Sequence, residues 1–137
     1  MIKVVLDTKV VISSAISSDG NPARILDMIF LEKIKNYTNN EIVEEINDVI
    51  ARKRISEHLN KNQKDLILNT YLVFLELVES TEKINAVQED ADDNKFLECA
   101  ISAKADYVIS EDSHLLKLKE FRGIKILSPA EFVKTVE

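Results

Sequence analysis

Five short apolar runs alternate along the chain with stretches whose apolar residues recur every three to four positions, and this alternation narrows the possible architectures sharply. The runs at 2–7, 34–38, 75–78, 107–110 and 124–127 are β-branched or aromatic and bounded by polar residues, as strands are. Asn21-Pro22 opens a helix to about Leu31, with proline in the favoured first turn and Ile25, Leu26 and Ile29 on one side. Further helical patterns cover 41–52, 61–74, 92–103 and 129–136, with a short helical turn near 113–118. Strands separated by helices predict an α/β fold with a parallel sheet of four to five strands, covered on both faces.

At 137 residues the chain fits one domain with a core of its own. Two glycines and two prolines leave little for flexible linkers, and there is no internal repeat or low-complexity tract. The lone Cys99 excludes an internal disulfide framework and reads as a small core residue. No tract of about 18 apolar residues suggests a membrane span or signal segment, so a cytoplasmic protein is expected, with no membrane partner.

The formal net charge of −6 argues against a broad basic face for nucleic acid. Local attraction is still available from Lys3, Arg52, Lys53 and Arg54, or from a cation held by carboxylates. With no tryptophan and few aromatics, a stacking platform for single strands is poorly supported.

In open α/β sheets, ligands bind beyond the carboxyl ends of the strands, where the following helices begin. Asp7 ends the first strand run and Asp112 follows "YVIS" after the fourth, which predicts that both project at the same end. Either one alone also reads as a helix N-cap. On the 41–52 helix, an advance of about 100° per residue turns Glu45 towards Ile42 and Val49, and Glu44 to the opposite side. An inward acid needs a cation, hydrogen bonds or a solvated rim.

"QEDADDNKFLECA" opens with four acids, Glu89, Asp90, Asp92 and Asp93, ordinarily a solvated helix start. Asp93 stands three, four and seven residues before Phe96, Leu97 and Ala100 and so turns inward, which leaves Asp92 as the expected cap and Glu98 on the surface. Asp7, Glu45, Asp93 and Asp112 together could form an oxygen-rich pocket for Mg²⁺ or Mn²⁺, which prefer carboxylates and water to sulfur. Such a pocket suits phosphodiester hydrolysis without a protein nucleophile.

At these residues the chain resembles the PIN-domain family, in the branch of toxin components of prokaryotic toxin–antitoxin pairs similar to VapC-type ribonucleases. The resemblance runs through "VVLDTKVVISSAIS", "GNPARIL", "NNEIVEEINDVIARKRI", "DADDNKFLECAISAKADYVISEDSHLL" and "ILSPAEF". It implies a three-layer α/β/α PIN-like fold and a metal-dependent endoribonuclease acting on RNA. The metal-binding and catalytic acids would fall on Asp7, Glu45, Asp93 and Asp112, with Thr8 shaping the first corner and Asp92 assisting.

The sequence departs from the family pattern at three places. Lys9 stands where the first motif ordinarily has asparagine, and an ammonium offers only donors and a fixed charge. If it points inward, Lys9 pairs with Asp7 or Asp112 and competes with a cation. Glu111 and His114 stand where the family often has glycine and a further acid; His114 reads as a rim histidine and His58 as a surface one.

A different class of function follows if Lys9 silences the site: a binding module that partners an antitoxin, or a homodimer joined through apolar helices around 67–74. A phosphoryl-aspartate phosphatase would want an aspartate at position 9. A receiver domain would want one after the third strand, where "ELVES" stands, and no glycine-rich phosphate loop supports a nucleotide site.

Overall fold

The computed structural model describes the backbone of residues 1–137, and all side chains except those of Leu68, Thr70, Tyr71, Leu72 and Val73. The expected self-association surface around 67–74 therefore lies largely outside the described residues.

The elements in chain order are β1 (Ile2–Leu6), α1 (Thr8–Ile16), α2 (Asn21–Phe30), β2 (Ile34–Thr38), α3 (Asn40–Ala51), α4 (Lys53–Ser56), α5 (Lys61–Phe74) and β3 (Leu75–Leu77). A 3₁₀ turn (Ala91–Asp93) leads into α6 (Asn94–Ala103), β4 (Tyr107–Ile109), α7 (Ser113–Leu116), β5 (Glu120–Phe121), β6 (Ile124–Leu127) and α8 (Pro129–Val136). The strands form one sheet in the order β3-β2-β1-β4-β6-β5. Five are parallel; β5 joins β6 antiparallel at one edge. A two-residue strand carries no readable alternation, which is why the sequence suggests at most five.

Successive residues Val4, Val5 and Leu6 of β1 are all buried, although neighbours along a strand point to opposite faces. Both faces of the central strand are therefore covered, as a parallel sheet requires. Helix α6 packs across β1, β2 and β4, while α2 packs on β2 and α8 on β6. Together they make an α/β fold of helices around a mostly parallel sheet. Among the described residues, no helix is long and apolar enough to cross a membrane.

Helix α1 is absent from the periodic helices expected from sequence and was signalled only by the reading of Asp7 as an N-cap. Its segment "TKVVISSAI" is rich in β-branched residues, which lower helix propensity and make it read as a continuation of the strand. Tertiary packing overrides that preference by burying Val10, Val11, Ile12 and Ala15, and Asp7 caps the helix. At the other end of the chain, Ser128 and Glu131 form a capping box with Pro129 at the first position of α8.

Two local expectations are corrected. Asp90, not Asp92, caps the turn before α6, by accepting the Asp92 N–H at 3.2 Å. Glu98 is buried rather than superficial: its carboxylate accepts the Ile84 N–H at 3.0 Å and ties the 78–90 connection to α6. Asn94 holds the same connection by accepting the N–H groups of Ala86 (3.0 Å) and Val87 (2.8 Å) and donating to the Val87 carbonyl.

Candidate functional site

The strand order reverses direction between β1 and β4: the chain leaves β1 for β2 on one side, and β4 pairs on the other. A reversal of this kind opens a crevice beyond the carboxyl ends of the two strands. Asp7 follows β1 there, and Ser110, Glu111 and Asp112 follow β4.

Asp7 is buried and almost fully engaged. One carboxylate oxygen accepts the Val10 N–H at 2.8 Å, capping α1; the other accepts the Ser110 hydroxyl and the Glu111 N–H at 3.1 Å. Burial pushes its pKa up, and the bonds from Ser110, Val10 and Glu111 pull against that rise. Ser110 also accepts the Asp112 N–H at 2.9 Å, so one hydroxyl links the two strand ends. It went unremarked in the sequence, although its place as the last residue of "YVIS" put it at the Asp7 corner.

Asp112 caps α7 by accepting the His114 N–H at 2.8 Å. Its second oxygen lies 3.6 Å from the Lys9 ammonium, while His114 Nδ1 stands 3.6 Å from the first. Both acids thus serve as N-caps as well as facing the crevice. Lys9 does turn to Asp112, from a side chain that is two-thirds exposed.

Asp93 is buried just before α6, and among the described residues its Oδ2 has no hydrogen-bond partner. Burial, then the nearby charges of Asp112 and Asp90, push its pKa up to about 7, with Asp7 adding a smaller push. Thr8 Oγ1, at the first position of α1, is likewise buried and unpartnered. Asp90, Asp93, Asp112 and His114 each offer one ligand atom, all within 4.8 Å of one another. Asp90 and His114 were outside the metal set expected from sequence; Asp90 was hidden in an acidic run that helix geometry alone could not divide.

Glu45 is half-buried on α3, and Glu44 is exposed, as the helical angle required. Its carboxylate is taken by the ammonium of Lys95, a lysine whose side chain is 8% exposed. Lys95 also passed unnoticed in the sequence. The available signal was its place four residues before the buried Cys99, the same spacing that turns Asp93 towards Leu97. Cys99 itself is a core residue, its thiol pushed up to about 12 by burial.

One crevice of about 230 Å³ is lined by Asp7, Thr8, Lys9, Glu45, Asp92, Asp93 and Asp112, with Asp90 and Arg52 at its sides. Asp92 reaches it from an exposed position. A wider groove of about 500 Å³ adjoins it, sharing Thr8, Lys9, Glu45, Val49 and Arg52 and continuing over Ile12, Ile16, Arg54 and Ile55. The donor set fits a hard divalent cation: the ligands are mainly carboxylate oxygens, and one buried oxygen, Asp93 Oδ2, lacks any other partner. Glu45 is the exception, since its charge is already balanced.

Comparison with known proteins agrees with this architecture. The chain is 35% identical to an uncharacterized protein of Methanocaldococcus jannaschii, MJ1680, over 99% of its own length and 92% of the relative's. Its fold is similar to that of a chain in the crystal structure of VapBC2 from Rickettsia felis bound to a DNA fragment from their promoter, with a TM-score of 0.57. That match has 13% identity and covers 91% of this chain and 97% of the other. A family model described as PIN domain matches residues 3–114, and the chain therefore belongs to the PIN-domain family.

Proposed function

We propose that this protein is a divalent-metal-dependent endoribonuclease that hydrolyses RNA phosphodiester bonds in the cytoplasm, as the toxin of a toxin–antitoxin pair. The observation that carries this reading is the meeting of Asp7, Asp93 and Asp112 in one crevice, where Asp93 Oδ2 is buried and unpartnered. Membership of the PIN-domain family supports it, and the likeness in fold to a VapBC2 chain supports an antitoxin protein as partner. A homodimer is part of the same proposal.

Asp93 and Asp112 would hold Mg²⁺ or Mn²⁺, with Asp7 behind them and Asp90 and His114 within reach. Such an ion, when bound, would acidify a water and offset the charge of the scissile phosphodiester. The protein's own contribution is largely positional. Asp7 fixes Ser110, and Ser110 fixes the Asp112 backbone, so the two strand ends stay in register. Asp93 would have to give up a proton to hold a cation, because burial, and then the nearby charges of Asp112 and Asp90, raise its pKa. Arg52 and Arg54 line the adjoining groove and would hold backbone phosphates of the substrate without reading its sequence.

A second reading draws on the Lys9–Asp112 pair, in which a fixed positive charge already sits on one of the acids. On that reading the domain is an impaired nuclease that works by binding a protein partner or a second copy of itself. Mn²⁺ titration and cleavage of single-stranded RNA, with the natural chain beside Lys9→Asn, separate the two. Mn²⁺-dependent cleavage by the natural chain supports the enzyme; cleavage gained only with asparagine supports the impaired form.

A further inference from the structure

Two lysines pair with acids that line the crevice, Lys9 with Asp112 and Lys95 with Glu45, and they differ in one physical respect. Lys9 is two-thirds exposed and 3.6 Å from its acid, so water can replace the contact. Lys95 is buried, hydrogen-bonded to Glu45 and held 5.3 Å from the centre of the Phe96 ring. Its backbone is fixed too. Asn39 caps α3 by accepting the Ile42 N–H at 2.9 Å, and its amide reaches the Lys95 carbonyl at 3.3 Å, joining the start of α3 to the start of α6.

A buried ammonium cannot give up its anionic partner without a large desolvation penalty, and it repels a divalent ion brought to the same carboxylate. Glu45 is therefore spoken for, although it lines the same crevice as Asp7, Asp93 and Asp112. We propose that the Lys95 ammonium is a built-in cation that occupies Glu45 in place of a second metal ion, so that the crevice binds one divalent ion per chain. Lys95 is then a positioning residue: it holds Glu45 and keeps the single ion on the Asp93 and Asp112 side. This rests on the metal-dependent reading above.

The test is a Mn²⁺ titration of the full chain by calorimetry, with Mn²⁺ electron paramagnetic resonance as an independent count of bound ions. It compares the natural protein, Glu45→Gln and Lys95→Gln. The expected result is one ion per natural chain and an affinity within about twofold in Glu45→Gln, because the glutamine oxygen still accepts from Lys95. Lys95→Gln frees Glu45 and should bind two ions. Circular dichroism checks both folds; should either variant fail to fold, the other and the ion count of the natural chain decide. Two ions on the natural chain, a tenfold or greater loss of affinity in Glu45→Gln, or one ion on a folded Lys95→Gln overturns the inference and leaves the metal site standing. A natural chain that binds no Mn²⁺ overturns both.

Discussion

Lys9 and Asp93 carry opposite charges into one crevice, and each makes a separate prediction. Lys9 forms an exposed pair of the kind that contributes about 1 kcal/mol or less. Replacing it with asparagine should raise Mn²⁺ affinity about two- to fivefold at low ionic strength, with the gain shrinking towards 0.5 M salt as screening removes the charge. Calorimetric titrations at two salt concentrations check this. Asp93 is the reverse case, a buried acid among acids. Asp93→Asn should lower Mn²⁺ affinity at least tenfold, yet stabilise the metal-free fold at pH 8 by about 1–2 kcal/mol in urea unfolding, because it removes a buried, repelled charge.

The pH dependence follows from the same residue. The folded pKa of Asp93, about 7, exceeds its ordinary value of 3.8, so the folded state binds more protons between those limits. Its favourable contribution to the metal-free fold is fully present below about pH 4 and lost as pH rises through about 7. Metal binding has the opposite slope, since the proton must leave: Mn²⁺ affinity should fall up to about tenfold per pH unit below 7. Titrations from pH 5.5 to 8 measure it, and the slope should be shallower in Asp93→Asn.

At the scale of elements, the legible parts were those with a repeating pattern. The angular period of α3 separated Glu45 from Glu44, and the i, i+3, i+4 spacing turned Asp93 inward, because amphipathic helices encode their buried face. Of helix α1 only the cap at Asp7 was legible: its β-branched residues favour strand, and the packing of Val10 and Val11 decides for helix. Lys95 and Glu98 were obscured for a related reason. Their polar ends are satisfied by partners distant in sequence, Glu45 and Ile84, which no local window contains. Asn39 is the element-scale joint between α3 and α6. Asn39→Ala should cost about 1–2 kcal/mol in urea unfolding, from the lost cap and the lost bond to the Lys95 carbonyl.

For the molecule as a whole, alternation of strands and helices was enough to give a covered parallel sheet, but the strand order was not written locally. Placing β4 beside β1 brings Asp7 within bonding distance of Ser110, 103 residues away. That pairing creates the crevice, and every functional argument above depends on it. The proposed function has Asp7, Asp93 and Asp112 hold a divalent ion used to cut RNA. Its most direct test is cleavage of an end-labelled single-stranded RNA with and without Mn²⁺, by the natural chain, Lys9→Asn and Asp93→Asn. Cleavage is expected to require Mn²⁺, to rise with Lys9→Asn, and to fall about 100-fold or more with Asp93→Asn. Cleavage indifferent to both Mn²⁺ and Asp93, or none from any of the three proteins, would contradict it.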